Sequence, residues 1–175
     1  MPQTEPLFHY LDNEGFLADL GVLASSIQSD AWQPDFVIGI GRGGLVPAVY
    51  LSHKLDLPML SIDHSSKVDD FADELLAKVA KKSAAGTRLL FIDDINDSGG
   101  TIEYIRQLLV RHGCKIEHLR FAVVINNTSS KAVVDYWAQI IDRTQDKRWF
   151  VFPWEAVGAA STIREEALSV PERLA

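Results

Sequence analysis

A chain of 175 residues, with 47% hydrophobic and 23% charged residues, has the size and composition of one folded domain with an ordinary core, which excludes wholesale disorder. The formal net charge of −7 lacks the basic excess that a nucleic-acid partner requires, although an acidic protein can still hold phosphate in a local nest of backbone N–H groups. The single cysteine, Cys114, excludes an intrachain disulfide and suits a reducing cytoplasm, and no apolar stretch reaches the roughly 18 to 20 residues that span a bilayer. The opening MPQTEPLFHY has no basic run leading into an apolar one and does not read as a signal peptide.

The first predicted helix runs from Glu14 to Gln28, where Leu17, Leu20, Leu23 and Ile27 recur at helical spacing. Pro34 stops it, and Asp35 to Ile40 reads as a buried strand. The turn Gly41-Arg42-Gly43-Gly44 follows, then a helix from Leu45 to Leu55 with Pro47 tolerated in its first turn. Pro58 to Ile62 is a second short strand, and Asp69 to Lys82 is amphipathic, with Phe71, Leu75 and Val79 on one face. Arg88 to Asp93 is a buried strand that leads into Asp94-Ile95-Asn96-Asp97-Ser98-Gly99-Gly100. A helix from Thr101 to His112 closes near Gly113, a C-cap residue. Ile116 to Ile125 and Ala138 to Ile141 are strand-like. Strands that alternate with helices imply an α/β fold with a parallel sheet, whose ligands bind beyond the carboxyl ends of the strands. Two chemically loaded turns stand at such ends here.

The first is the run from Leu89 to Ile102. An apolar strand ends in two adjacent carboxylates, Asp93 and Asp94, and Asp97-Ser98-Gly99-Gly100-Thr101 then opens a helix. Glycines let backbone N–H groups approach a ligand closely, and the helix N-terminus and the Ser98 and Thr101 hydroxyls complete a phosphate cradle. The carboxylates suit ribose hydroxyls on the same ligand. The second turn, Gly41 to Gly44, offers planar, bidentate donation from Arg42 to phosphate oxygens. Near the C-terminus, Trp149-Phe150-Val151-Phe152-Pro153-Trp154-Glu155 concentrates aromatic faces suited to stacking on a flat heterocycle.

The Leu89–Ile102 segment resembles the 5-phosphoribosyl-1-pyrophosphate (PRPP) motif of type I phosphoribosyltransferases. The Arg42-Gly43-Gly44-Leu45-Val46-Pro47 run and the Trp149–Glu155 run are similar to the bacterial xanthine–guanine and hypoxanthine branch. The resemblance implies the family fold over residues 1–175: a mainly parallel central sheet with flanking helices (core about 35–142) and a small hood from the N- and C-terminal segments. It implies transfer of the phosphoribosyl group to a nucleobase, a 6-oxopurine by these motifs, with Mg2+ and a homodimer or higher homo-oligomer. By the same resemblance Asp93 and Asp94 bind the ribose hydroxyls directly or through the metal, with Asp94 nearest the metal and Asp93 beside it. Asp97 through Thr101 hold the 5′-phosphate, and Asp97 handles a proton at purine N7. Gly41, Arg42, Gly43 and Gly44 contact pyrophosphate. Trp149 stacks on the base and the backbone near Phe150 meets its edge, while Trp154 is expected in the core or at a dimer contact. Asn126 stands where the family carries a lysine for the 6-oxo group; its amide can donate there or present its carbonyl to an amino group. The stretch Asp63-His64-Ser65-Ser66-Lys67 departs from the Ser-Tyr pair of the family lid.

The remaining candidates have plainer readings. His64 is a loop histidine or a pyrophosphate contact, and His53 and His112 are helix-surface residues. His9 and His118 have no partner visible in sequence. Cys114 reads as packed, and Glu165-Glu166 as a solvated helical face. No Cys/His spacing suggests zinc. A PRPP-binding regulator without transfer activity and a phosphoribosyltransferase for another base, such as a pyrimidine, are the alternatives. The Arg42 turn and the Trp149 segment favour an enzyme, because a sensor needs no base site.

Overall fold

Asp12 starts the first helix: its carboxylate accepts from the Gly15 amide at 2.7 Å, an N-cap that satisfies one of the open donors of α1 (Asn13–Ser29). The buried stripe of α1 is Phe16, Leu20, Leu23, Ala24 and Ile27; Leu17 lies one position off it and is exposed. The computed structural model describes residues 5–63 and 71–170. Before α1 lies the short strand β1 (Phe8–Tyr10), and after it β2 (Phe36–Ile40) enters the main sheet.

The chain then alternates: α2 (Gly41–Leu55), β3 (Met59–Ile62), α3 (Phe71–Ala84), β4 (Leu89–Asn96), α4 (Gly100–Arg111), β5 (Leu119–Asn127) and β6 (Tyr136–Ile141). All neighbouring strands pair in parallel, in the order β3-β2-β4-β5-β6. This is the expected α/β architecture. A parallel sheet is covered on both faces, so its strands read as continuous apolar runs. In β4 alternate side chains feed opposite cores. Leu89 and Phe91 pack with Leu76 and Val79 of α3 and with Ile105 and Leu109 of α4, while Leu90 and Ile92 pack with Leu23 of α1 and Leu51 of α2. The side chains of Leu89 through Ile92 have no exposed surface, and burying each is worth about 1.5–3 kcal/mol. That anchors the strand that carries the site.

Several boundaries differ from the sequence expectation, for physical reasons. The glycine-rich turn is the first turn of α2 and does not precede it. Among the described side chains of α3, Leu76, Val79, Ala80 and Ser83 are buried and Leu75 is exposed, while the side chain of Phe71 lies outside the described residues. A short 3-10 turn (Ile116–His118) precedes β5. β4 does not end at the carboxylates but runs through them to Asn96, because Asp93, Ile95 and Asn96 still pair with Val123, Ile125 and Asn126 of β5. β7 (Trp149–Val151) pairs in parallel with β1, a second small sheet absent from the sequence reading, and α5 (Ala160–Leu168) follows it.

The order of the strands places the site. The chain leaves β2 for β3 on one side, then crosses to β4 on the other, so the β2/β4 boundary is the switch point, where parallel sheets open a crevice. The last paired residues there are Gly39 and Ile92. Asp93 to Asn96 therefore rise beyond β2, beside the first turn of α2.

Candidate active site

A cavity of about 610 Å³ opens at that switch point, lined by residues 40–43, 93–102, 154–155, 157–158, 162–163 and 166. It gathers the acidic pair Asp93 and Asp94, the loop Asp97 to Thr101, and Gly41, Arg42 and Gly43. Gly44 sits just behind them: a Cβ there would lie 2.1 Å from the Ile92 carbonyl oxygen, so its lack of a side chain lets α2 press against the β4 backbone. A Cβ on Gly43 would lie 2.3 Å from Asp94 Oδ2, so the Asp94 carboxylate occupies the space that this glycine leaves open.

Neither α2 nor α4, whose first turns line the cavity, has a side-chain bond from its N-cap residue, although Ser98 Oγ accepts from the Gly100 amide, the first of α4, at a long 3.4 Å. Ile40 precedes α2 and Gly99 precedes α4 without a side-chain cap, in contrast to Asp12 at α1. Their first N–H groups and the positive end of each helix dipole therefore suit an anion. Gly99 has φ 87°, and a Cβ on it would lie 2.5 Å from the Ala132 amide nitrogen. The loop is thus held hard against residues 130–132, and the Lys131 amide donates to the Ser98 carbonyl at 3.2 Å.

Two buried asparagines brace this loop. Asn127 Nδ2 donates to the Asp97 carbonyl at 2.9 Å. Asn96 Nδ2 donates both to the Ala132 carbonyl and to Asn126 Oδ1, each at 2.8 Å, and Ser130 donates to Asn96 Oδ1. A backbone carbonyl only accepts, so it fixes the amide of Asn96, and Asn96 in turn requires the oxygen of Asn126. The end of Asn126 directed away from Asn96 is the Nδ2 donor.

The sequence reading missed Arg143. Its guanidinium grips Asp97 as a fork, Nε to Oδ1 at 3.1 Å and Nη2 to Oδ2 at 3.0 Å. Nη1 donates to the Arg148 and Asp146 carbonyls, and the guanidinium lies 5.1 Å from the Phe150 ring centroid. No local signal marks it, because the pair is 46 residues apart and an arginine in a strand-to-strand loop is ordinarily a surface residue.

Trp149, Phe150 and Asn126 are not among the cavity-lining residues. They adjoin it through neighbours: Asn126 bonds Asn96, and Phe150 lies under Arg143, which grips Asp97. Trp154 lines the cavity while stacking on Phe152 and meeting Phe16 edge-on, so its packed position and a cavity role coincide. Its indole N–H is buried without a hydrogen-bond acceptor among the described residues. Glu166 also faces the cavity and is not only part of a solvated helical face. His9 meets the Phe150 ring edge-on, and His118 Nδ1 contacts the Ser83 carbonyl at 2.8 Å. Cys114 is buried, and burial raises its thiol pKa. His64 and the departures at Ser65, Ser66 and Lys67 lie outside the described residues.

Burial also sets the electrostatics of the acidic wall. It holds Asp93 well above the usual carboxylate range, helped by the adjacent Asp94 charge. It raises Asp94 to about 6, against the lowering effect of the Ile95 N–H, which donates to Oδ1 at 2.7 Å. Glu155 is pushed to about 7, chiefly by burial and further by Asp94 and Glu166; the Phe152 amide at 2.9 Å and the Arg42 charge pull the other way. Such a wall fits a divalent cation with oxygen ligands. Among the described residues no three His, Cys, Asp or Glu side chains converge as a metal cage.

The chain matches the phosphoribosyl transferase domain over residues 9–157. It is 35% identical over 130 residues to the xanthine-guanine phosphoribosyltransferase of Cereibacter sphaeroides, covering 71% of this chain and 70% of that protein. It is 30% identical over 134 residues to the protein of that name from Idiomarina loihiensis, covering 73% and 75%. The crystal structure of a purine phosphoribosyltransferase from Pyrococcus horikoshii superposes with a TM-score of 0.62 at 27% identity, over 84% of this chain and 93% of that one. With the cradle, the acidic pair and the fold in agreement, the chain belongs to the type I phosphoribosyltransferase family, in its bacterial xanthine–guanine branch.

Proposed function

We propose that the protein transfers the 5-phosphoribosyl group of PRPP to a 6-oxopurine (hypoxanthine, guanine or xanthine) and releases pyrophosphate. The observation that carries this reading is the meeting of the N-termini of α2 and α4, whose N-cap residues supply no side-chain bond, and an acidic pair around one cavity. Asp97 through Thr101 hold the 5′-phosphate, and Gly41, Arg42, Gly43 and Gly44 hold pyrophosphate. Asp93 and Asp94 take the ribose hydroxyls and the metal side of the substrate. Mg2+, when bound, neutralises pyrophosphate charge. Asp97 accepts from the base at N7. Trp149 stacks on it, the backbone near Phe150 meets its edge, and the Asn126 Nδ2 donor meets its 6-oxo group; the names of the relatives support a purine.

Pyrophosphate leaves C1 as the base nitrogen attacks, so positive charge grows on the ribose ring. The chain has little covalent chemistry to perform. It aligns two reactants and holds fixed donors where the leaving group gathers negative charge. As the bond to C1 forms, the proton on the base passes to the Asp97 carboxylate. The protein acts in the cytoplasm, in keeping with its free thiol, and as a homodimer or higher homo-oligomer; exposed Leu45 and Val49, one turn apart on α2, support an interface there. No helix among the described residues is long and apolar enough to cross a membrane.

The test is pyrophosphate release from PRPP with a panel of free bases, with and without chelator. Turnover is expected with at least one 6-oxopurine and should need Mg2+ or Mn2+. Turnover confined to adenine or a pyrimidine overturns the base assignment, and full activity in excess chelator removes the metal. Asn126→Asp exchanges the donor for an acceptor and should lower kcat/KM for the 6-oxopurine about 100-fold or more, because it leaves like acceptors facing each other. Asn126→Lys restores a donor and should keep most of it.

A further inference from the structure

We propose that Arg143 is a positioning residue for the transfer: its guanidinium fixes the Asp97 carboxylate at the base end of the cavity and ties it to β7, the strand of Trp149. The inference rests on the role of Asp97 given above. Three contacts close a ring. Asn127 Nδ2 donates to the Asp97 carbonyl at 2.9 Å, Arg143 N donates to Asn127 Oδ1 at 3.1 Å, and the Arg143 fork returns to the Asp97 carboxylate. Backbone and side chain of Asp97 are therefore held by one unit, from two directions. The other end of the guanidinium holds the carbonyl of Arg148, immediately before Trp149, at 2.7 Å. Phe150, immediately after, lies against its face.

This is not a surface ion pair. The two side chains are 10% and 14% exposed, whereas Arg88 and Asp35 on the outer surface are 39% and 44% exposed at a looser 3.6 Å. A buried pair adds little net stability over apolar packing; what a planar, two-point fork supplies is fixed geometry. It engages one lone pair on each Asp97 oxygen of about four on a carboxylate, so the pairing does not by itself exhaust Asp97 as an acceptor. Lysine cannot make the fork, since its ammonium is a point charge.

The test is a double-mutant cycle on Asp97→Asn and Arg143→Met, read as steady-state transfer with radiolabelled PRPP so that residual turnover stays measurable, alongside thermal melting. Arg143→Met should lower kcat on the order of 100-fold, as a displaced reacting group does, with little change in KM for PRPP. In the Asp97→Asn background the same change should cost no more than about twofold, because the carboxylate that Arg143 positions has gone. The double variant should also melt above Asp97→Asn alone, because it no longer buries a cation that has lost its carboxylate partner. If Arg143→Met does not fold, Arg143→Lys takes its place, with a smaller loss of kcat and the same collapse in the Asp97→Asn background. An equal loss in both backgrounds, or wild-type kcat in Arg143→Met, overturns the proposal while leaving the transfer reading intact. A wild-type protein silent with every 6-oxopurine removes that reading and this inference with it.

Discussion

Gly43 and Gly44 are neighbours with different reasons to lack a side chain. A Cβ on Gly43 meets the end of the Asp94 side chain, which can rotate away; one on Gly44 meets the Ile92 backbone, which cannot. Gly43→Ala should therefore keep its melting temperature and raise KM for PRPP as Asp94 is displaced, whereas Gly44→Ala should lose about 1–3 kcal/mol in denaturant unfolding, as overpacked sites do. Similar losses of stability in both variants would contradict this division. At this scale the loop proposed as the phosphate cradle was legible because its chemistry is contiguous: strand, acids, glycines and helix start follow one another along the chain. Arg143 was not legible, because the fork to Asp97 exists only after β6 and its following loop return to the end of β4. The orientation of the Asn126 amide was likewise open in sequence, since the residue that decides it is Ala132, through a carbonyl that every residue possesses.

The elements were read best where periodicity and caps agree. α4 is flanked by Gly99 and Gly113, and Gly113 and Cys114 donate back to Val110 and Leu109 as the C-cap reading requires. β1 and β7 were missed because three-residue strands carry no usable period, and their pairing joins parts of the chain about 140 residues apart. That small sheet bears on the proposed base site. The Trp149 amide donates to the Leu7 carbonyl at 2.8 Å and the Leu11 amide to the Val151 carbonyl at 3.0 Å, so β1 holds both ends of β7. Leu11→Pro removes one of these donors. It should raise KM for the base on the order of tenfold, about 1.4 kcal/mol of binding free energy, while KM for PRPP changes little. Parallel initial-rate titrations of the two substrates separate these outcomes; a rise in KM for PRPP alone would detach β7 from the base end.

On the scale of the whole molecule, the fold gathers buried carboxyl groups at the cavity proposed for PRPP. Asp93, Asp94 and Glu155 line one cavity, and burial raises all three. A carboxyl with a higher pKa in the folded than in the unfolded chain makes the folded state the tighter proton binder. Stability is then greatest below the unfolded value and falls as pH rises through the folded one. For Glu155 the loss spans its ordinary 4.5 to about 7, and for Asp94 3.8 to about 6. Metal-free protein should therefore melt at a lower temperature at about pH 8 than at about pH 5.5. The net charge of −7 adds a general repulsion that grows with pH in the same direction, so Glu155→Gln serves as the reference. The variant should show a shallower fall, the difference between the two curves developing between about pH 5 and about pH 7. Mg2+ with PRPP should act oppositely. Oxygen ligands must release their protons to bind it, so the rise in melting temperature it produces should grow with pH over the same window. Parallel curves for wild type and Glu155→Gln would show that Glu155 does not carry the proton assigned to it, and a metal-dependent rise that shrinks with pH would separate the acidic wall from the cation.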